Sequence, residues 1–325
     1  MHIPQITDIW FVVVNVFAAS SSAMSRWETA RDRLDADGVG YEAVFTGTDG
    51  NATELTASAC AKGYRRFIAV GGDGTVHDVL QGMMTYVNDS ALSGQSLKIS
   101  DFTLGVIPLG SGNDWIKTPG IPCDIQGAAS LFAGGRVARQ DVVKVSLLDQ
   151  ERNVNEVGYM VNVGGIGLDA RVCVKVNRAK CQGKKGKILY VTSLIDCILH
   201  RTPASACVIC DGRKEYEGDF LSMSFGIGKY SGGGMRQTPA AVIDDGLLDM
   251  TLIPDLPLLK LAKEAPKLFT GKLLDVPELV TSKARTIEIL PIEGAEPVEV
   301  DGELVGNSPV RFEILEDQLN IIVPR

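Results

Sequence analysis

Strand-like and helix-like segments alternate through the first 140 residues, and this alternation limits the fold more than any other feature of the sequence. Short apolar runs typical of buried strands occur at Trp10–Val14, Tyr41–Phe45, Phe67–Val70 and Thr103–Ile107. Segments with apolar residues at helical spacing follow them, at Met24–Asp37, Ala52–Lys62, Val76–Tyr86 and Gln126–Phe132. The pattern predicts parallel βαβ units with helices on both faces of a sheet.

After about residue 138 the pattern changes to strands with few helices between them. The predicted strands are Asp141–Leu148, Val157–Val163, Ala206–Cys210, Phe220–Ile227, Leu247–Ile253, Thr286–Leu290, Val298–Val300, Val310–Ile314 and Leu319–Ile322. Two segments, Ile188–Leu199 and Leu256–Leu268, are predicted to be helices. We therefore expect an α/β domain over residues 1–138 and a mostly antiparallel β domain, a sandwich or barrel, over 139–325. The last strand, near 319–323, could also return to the first domain.

Composition agrees with two soluble domains. The chain has 325 residues, of which 45% are hydrophobic and 22% charged, and domains commonly take about 100–200 residues each. The net charge of −8 argues against a nucleic-acid partner, which usually meets a basic domain.

The sequence predicts a reduced, cytoplasmic protein. The long apolar stretch Ile9–Ala19 is too short to span a bilayer, and the residues before it lack the basic start of a signal peptide. Cys207 and Cys210 form a close pair within an apolar run, which favours two strand cysteines over a metal or redox site.

The first chemical motif is Gly71-Gly72-Asp73-Gly74-Thr75, between a predicted buried strand and a predicted helix. Glycines allow a tight turn that brings backbone N–H groups against a phosphate, and the helix start adds further N–H groups. Asp73 would repel a phosphate unless its carboxylate bonds to a ribose, to backbone or to a metal on the nucleotide. The motif predicts a phosphate-binding loop; the alternative is a strand-to-helix turn without a ligand.

A second loop, Pro108-Leu109-Gly110-Ser111-Gly112-Asn113-Asp114, also follows a predicted strand. In a parallel sheet, loops after strands meet at the carboxyl edge, where ligands bind. Two glycine-rich loops at one edge support a nucleotide site better than either loop does by itself.

With these two loops, the chain resembles the diacylglycerol kinase catalytic-domain family, in particular bacterial lipid kinases related to diacylglycerol and sphingosine kinases. The resemblance continues through four further motifs, namely Asn162–Asp169, Tyr230–Met235, Asp244–Asp249 and Asp301-Gly302-Glu303. It implies an N-terminal three-layer α/β nucleotide domain, a C-terminal antiparallel β-sandwich for the lipid, and a site in the cleft between them.

The resemblance also implies roles for single residues. Those expected to contact ATP are Thr46, Gly71, Gly72, Asp73, Gly74, Thr75, Val76, His77, Ser111, Asn113 and Asp114. Asp301 and Glu303 match the acidic pair in which the family places its catalytic base, and a lipid hydroxyl attacking a phosphate needs such a carboxylate. From the residues alone, Asp-Gly is also a common hairpin turn, and the two carboxylates are not distinguished.

A structural Mg²⁺ is a further implication of the resemblance. Its ligands would be the Asp245 carboxylate and the backbone carbonyls of Val242 and Leu247, a donor set of the kind that hard cations take. A second Mg²⁺ would accompany ATP.

Two places depart from the family pattern. After the first strand the family usually has Asn-Pro and then Ser-Gly, whereas this chain has Asn15-Val16-Phe17-Ala18-Ala19-Ser20, which weakens the case for nucleotide contacts there. His77 stands where Asn is more usual, and its plain interpretation is a histidine on the surface of a helix.

A basic stretch from Arg171 to Lys187 reverses the local charge. It holds seven basic residues and no acid, at positions 171, 175, 178, 180, 184, 185 and 187. The stretch predicts either peripheral contact with an anionic membrane or a solvated helix and loop.

Together these features predict an ATP- and Mg²⁺-dependent kinase that phosphorylates a lipid such as diacylglycerol, at the inner face of the membrane. The alternatives are a sphingosine- or ceramide-type kinase, an NAD kinase-like enzyme, and a non-catalytic lipid or nucleotide sensor. The sequence predicts no oligomeric state.

Overall fold

The computed structural model describes residues 6–17, 23–47, 51–94, 96–181 and 187–325. The chain divides into two compact units, one formed by Met1–Val142 with Glu316–Arg325 and the other by Val143–Leu315. The sequence analysis placed the boundary near residue 138, four residues before the one observed.

The N-terminal unit is an α/β domain whose elements alternate along the chain. They are β1 (Trp10–Val14), α1 (Ala23–Ala36), β2 (Tyr41–Phe45), α2 (Ala52–Ala61), β3 (Arg66–Gly71), α3 (Asp73–Leu92), β4 (Thr103–Pro108), α4 (Ile125–Gly134) and β5 (Arg136–Gln140). Within the described residues the sheet has the order β2-β1-β3-β4, then the final strand of the chain, then β5. Strands β1 to β4 are mutually parallel, as the alternation predicts.

Helices cover both faces of this sheet. On one face, Trp10, Val12 and Val14 of β1 share a buried core with Trp27 of α1 and Ala129 of α4. On the other face α2 and α3 pack closely, and the Thr53 hydroxyl of α2 donates to the Asp78 carbonyl of α3 at 3.2 Å. The unit therefore has three layers, with the carboxyl ends of its parallel strands at one edge.

The C-terminal unit is an antiparallel β domain. Its elements are β6 (Val143–Leu148), β7 (Val154–Met160), β8 (Val163–Gly167), α5 (Leu168–Cys181), α6 (Lys187–Leu199), β9 (Ala204–Cys210), β10 (Arg213–Gly226), β11 (Leu248–Pro254), α7 (Leu258–Glu264), α8 (Lys267–Thr270), β12 (Val280–Ala284), β13 (Thr286–Glu293), β14 (Pro297–Val300), β15 (Glu303–Asn307) and β16 (Val310–Ile314). Its described strands follow the order β15-β14-β8-β10-β9-β13-β16-β6-β7, and β11 joins β10 to β12.

The last strand, β17 (Leu319–Val323), lies in the N-terminal sheet. It pairs parallel to β4 and antiparallel to β5. Of the two placements that the sequence left open for this strand, the structure shows the return to the first unit.

Several predicted elements differ in detail. The strand predicted over Asp141–Leu148 begins two residues later, since β6 spans Val143–Leu148. The segment Leu256–Leu268 forms two short helices, interrupted at Pro266, where proline removes a backbone donor. Cys207 and Cys210 both lie in β9, as free cysteines.

Candidate functional site

The loop after β3 is built by contacts that only glycine permits. A Cβ on Gly71 would lie 2.2 Å from the Thr75 hydroxyl oxygen, and that hydroxyl accepts a hydrogen bond from the Asn15 amide at 3.1 Å. Helix α3 starts directly afterwards, and no side chain caps its first turn. The N–H groups of Thr75 and Val76 donate to the Gly72 carbonyl at 3.0 and 3.3 Å. The glycine loop and the start of α3 thus meet at the carboxyl edge of the sheet, where phosphates commonly bind.

The second loop touches the first one through backbone. Gly71 in β3 pairs with Pro108 in β4, and the Leu109 N–H donates to the Gly71 carbonyl at 2.7 Å. A Cβ on Gly110 would lie 2.7 Å from the Gly72 Cα. The two glycine-rich loops that the sequence predicts at one edge of the sheet are therefore in direct contact.

Asp73 joins these loops through its side chain. Its Oδ1 atom accepts a hydrogen bond from the Trp115 N–H at 3.0 Å. The sequence left three bonding partners open for this carboxylate, namely a ribose, backbone and a metal. The structure shows a bond to backbone. This bond directs one carboxylate oxygen to the second loop.

The other predicted residues of the second loop differ in exposure. Ser111 is exposed, whereas Asp114 is 5% exposed and forms an ion pair with Lys117. Asn113 adopts a left-handed backbone with φ of 47°, and its amide donates to the Gly110 carbonyl at 2.8 Å. Asn113 and Asp114 thus hold the shape of the loop, and Ser111 is the hydroxyl that it presents to solvent.

Thr46 lies directly after β2 and is 5% exposed. Its hydroxyl oxygen is buried and has no hydrogen-bond partner among the described residues. A buried, unsatisfied hydroxyl is costly unless a ligand completes it. Thr46 therefore remains a candidate for contact with a bound nucleotide.

Two residues of the helix start are buried in α3. Val76 is 2% exposed and His77 is 8% exposed. The interpretation of His77 as a surface histidine is therefore wrong. Leu80 and Met84, three and seven residues after His77, are also buried, so His77 lies on a face of α3 that packs into the unit.

In the C-terminal unit, Asp301 and Gly302 form the turn between β14 and β15, with φ of 53° and 91°. The Asp301 carboxylate accepts hydrogen bonds from the N–H groups of Val161 at 3.1 Å and Asn162 at 2.9 Å. Glu303, the first residue of β15, is exposed. The hairpin turn is present, and it also fixes the Asp301 carboxylate.

A cavity that is partly open to solvent lies in the same unit. Its wall is mostly apolar and comes from α5, α6, β10, β11 and the segment after β11; it includes Leu168, Leu194, Ile198, Leu221, Ile253, Leu261, Leu268 and Phe269. Its polar side chains are concentrated around Asp169, which follows β8. The cavity can therefore enclose an apolar chain and meet a polar group at one place.

Asp169 is held by three side-chain donors. Its Oδ2 accepts from the hydroxyls of Ser222 at 2.8 Å and Ser224 at 3.3 Å, and its Oδ1 accepts from the Gln237 amide at 2.9 Å. Burial raises the pKa of Asp169, and these hydrogen bonds oppose that shift. Gln237 is 5% exposed and lines the cavity, and its Oε1 has no hydrogen-bond partner among the described residues.

Comparison with known proteins accounts for both units. Residues 9–145 match the model of the diacylglycerol kinase catalytic domain. Residues 162–323 match the YegS C-terminal NAD kinase beta sandwich-like domain. The chain thus combines a diacylglycerol kinase catalytic domain with a YegS-type C-terminal domain.

Individual proteins named as kinases match over nearly the whole chain. A diacylglycerol kinase of Mycobacterium tuberculosis is 27% identical over 96% of this chain and 94% of its own length. A "probable lipid kinase YegS-like" of Xanthomonas euvesicatoria pv. vesicatoria is 29% identical over 97% and 96%. The crystal structure of a diacylglycerol kinase from Bacillus anthracis superposes with a TM-score of 0.72 at 26% identity, covering 97% of each chain.

The residues at the predicted Mg²⁺ site do not fit a bound divalent ion well. Asp245 Oδ1 accepts from the Leu247 N–H at 3.1 Å, and its Oδ2 lies 3.6 Å from the Lys283 Nζ. That ammonium also lies 3.0 Å from Asp249 Oδ2. Val242, the other predicted carbonyl ligand, is exposed. The Lys283 ammonium already supplies positive charge beside Asp245, where the divalent ion would bind, so no step of the reaction is assigned to a bound metal here.

Some side chains of the basic stretch form ion pairs within the protein. Arg171 contacts both carboxylate oxygens of Glu296, at 2.6 and 2.9 Å, and Lys175 pairs with Asp196. Positions 182–186, which include Lys184 and Lys185, lie outside the described residues. Among the residues that the structure describes, no helix has the length and apolar character needed to cross a membrane.

Sequence reasoning assigned no role to two residues at the nucleotide loops. Arg26 of α1 donates to the Leu109 carbonyl at 2.8 Å, and Asn15 bonds to Thr75 although its own loop lacks the usual proline and glycine. Asp169 stood within a quoted motif without a role. The sequence signal that could have identified Asp169 is an acidic residue just after a glycine-rich strand, at the start of a helix.

Proposed function

We propose that this chain is an ATP-dependent kinase that transfers the γ-phosphate of ATP to a lipid hydroxyl, with diacylglycerol as the acceptor. The observation that carries the proposal is the cavity, whose apolar wall ends at the polar group around Asp169. An acyl chain matches such a wall, and a hydroxyl or ester group matches the serines, the carboxylate and the glutamine beside it.

The nucleotide is assigned to the N-terminal unit. The phosphates of ATP would lie on the Gly71–Thr75 loop at the start of α3, where the helix dipole favours negative charge. The second loop supports the first one through Gly110 and offers the exposed hydroxyl of Ser111. Thr46 contributes a buried hydroxyl that has no hydrogen-bond partner within the described part of the chain.

The proton acceptor is assigned to the C-terminal unit. Asp301 or Glu303 would take the proton of the lipid hydroxyl while its oxygen bonds to the γ-phosphorus and the bond to ADP breaks. The products are a phospholipid and ADP. The Mg²⁺ that neutralises the phosphate charge enters with ATP as part of the substrate.

The direct test is phosphorylation of lipids by the purified chain with radiolabelled ATP and Mg²⁺. We expect labelled product from diacylglycerol in mixed micelles. Sphingosine, ceramide and NAD are offered separately, and transfer to one of them instead would replace the proposed acceptor. The proposal is wrong if none of these acceptors is labelled while the protein remains folded.

Contact with an anionic membrane is a second part of the proposal. Exposed apolar side chains occur on α6, at Ile195 and Leu199, and near the cavity at Leu259 and Phe269. The basic stretch adds positive charge before α6. Replacing Lys184, Lys185 and Lys187 with Gln should reduce flotation with phosphatidylglycerol vesicles, since each basic residue contributes about 1 kcal/mol near such a surface. Unchanged flotation would remove this stretch from the membrane contact.

A further inference from the structure

Glu299 is a buried acid whose position no part of the proposed reaction explains. It is 2% exposed and lies in β14 between Val298 and Val300, which both belong to the core of the sheet. Because strand side chains alternate, Glu299 points to the opposite face from these valines. Helix α5, which carries Asp169, packs against β8 and β14.

Glu299 bonds directly to the turn that carries the proposed base. Its Oε2 atom accepts a hydrogen bond from the Gly302 N–H at 2.9 Å. Gly302 stands between Asp301 and Glu303, so the bond closes the turn from inside the protein. The Asp301 carboxylate is anchored separately, to Val161 and Asn162.

Glu299 also approaches Asp169, over a glycine that leaves little room for a side chain. Gly165 of β8 is the register partner of Glu299. A Cβ on Gly165 would lie 3.1 Å from Glu299 Oε1 and 3.2 Å from the Asp169 Cβ. The two acidic side chains therefore converge above Gly165, one extending to the turn and the other to the cavity wall.

The charged groups acting most strongly on Glu299 are all acids, namely Asp169 from α5, Asp301 from the turn and Glu303 from β15. Burial, with the negative charge of these groups, raises the pKa of Glu299 well above its ordinary value of 4.5, although the Gly302 N–H lowers it. Glu299 therefore favours its protonated, neutral form. A neutral acid can remain in this position without an ion-pair partner.

We propose that Glu299 is a positioning residue that holds the Asp301–Gly302–Glu303 turn and makes its position depend on what is bound beside Asp169. An acceptor that bonds at the Asp169 end of the cavity changes the hydrogen bonds of the Asp169 carboxylate beside Glu299, and Glu299 passes that change to the Gly302 N–H. The expected effect on catalysis rests on the proposed function, whereas the role of Glu299 in holding the turn does not depend on it.

The first test measures the turn without using activity. Amide hydrogen exchange of residues 301–304 is followed in full-length wild type, E299Q, E299A and the control E293Q, which alters an exposed glutamate at the end of β13. We expect exchange in E299A to be faster by about tenfold or more. Gln keeps a neutral carbonyl acceptor of the same length, so E299Q should match wild type and E293Q. Wild-type exchange in E299A overturns the proposal.

The coupling between the turn and a ligand in the cavity is also measured by amide hydrogen exchange. Adding dioctanoylglycerol in detergent should slow exchange of residues 301–304 in wild type relative to detergent alone, and should have little effect in E299A. If E299A does not fold, E299D takes its place, since its shorter side chain retracts from Gly302. An equal response in wild type and the variant overturns the link.

Kinetics then separate this proposal from the proposed function. In E299A we expect kcat for diacylglycerol to fall by about tenfold or more, with KM for ATP unchanged and recovery in E299Q. If wild type phosphorylates no lipid, the proposed function fails while the exchange result still decides the role of Glu299. A wild-type kcat in folded E299A overturns the positioning role.

The pH dependence of stability has a definite sign. The raised pKa means that the native state holds a proton which the unfolded state releases near 4.5. Wild type should therefore lose stability relative to E299Q as pH rises from 4.5 towards the native pKa, while below 4.5 the difference is constant. Urea unfolding of both proteins across this range checks it, and a difference that does not change with pH contradicts the neutral form.

Discussion

The proposed reaction is assigned to two regions, one formed mostly by backbone and the other by side chains. The nucleotide edge of the N-terminal unit is mostly backbone, because Gly71, Gly72 and Gly110 leave no room for side chains. The acidic region of the C-terminal unit is made of side chains, in which Asp169 and Glu299 come from elements far apart in sequence.

This difference affects how each region tolerates change. A site made of backbone is disrupted by steric overlap, since the methyl group of an added side chain meets main-chain atoms that cannot rotate away. A side-chain site fails by loss of a specific donor or acceptor, and an isosteric replacement can preserve its shape. Three substitutions test this comparison, in order of decreasing expected effect.

The largest effect is expected for Gly110→Ala, because the new Cβ would lie 2.7 Å from the Gly72 Cα. Overpacking of this kind costs about 1–3 kcal/mol of stability, and separating the loops should abolish measurable ATP binding. Calorimetric titration with Mg-ATP and thermal unfolding measure the two effects.

Gly134→Ala is the matched control, since a Cβ there meets nothing within 4 Å. Gly134 lies at the end of α4, where alanine is a better helix former. Normal ATP binding by Gly110→Ala would show that contact between the two loops is not needed.

The next effect is expected for Asp301→Asn, which keeps the size of the side chain and removes its capacity to accept a proton. We expect kcat to fall by about 10²–10⁴-fold, the usual contribution of a general base. Glu303→Gln should cost less, because Glu303 is exposed whereas Asp301 is fixed by two backbone donors. The reverse order would assign the base to Glu303.

The smallest effect is expected at the cavity wall. Leu194→Trp fills space beside the apolar lining and should raise the KM for diacylglycerol, with kcat and ATP binding little changed. Thr192→Trp, at an exposed position of α6 outside the lining, is its control. Equal KM values for the two variants would argue against acceptor binding in this cavity.

Much of the N-terminal unit could be predicted because its signals are local. The buried strand β1 and the glycines before α3 follow from runs of adjacent residues, and the predicted strand Tyr41–Phe45 matches β2. Burial of His77 could not be foreseen, because it depends on which face of α3 meets the rest of the unit.

The C-terminal unit was harder to predict because its decisive contacts are non-local. Helix α5 was not among the predicted helices, and strands β12 and β15 were missed, since short, partly exposed strands have weak patterns. Glu299 is an ordinary residue in an alternating strand until Gly165 and Gly302 are seen beside it. The motif containing Asp169 marked the region without revealing its cavity.

The return of β17 to the N-terminal sheet has a consequence for synthesis on the ribosome. Strand β4 finds its partner β17 only after more than 200 further residues have been made, because Leu319 follows Pro108 at that distance. Until then β4 and β5 lack the strand that lies between them. The nascent chain must therefore carry an open sheet edge through most of translation, a condition that invites chaperone binding.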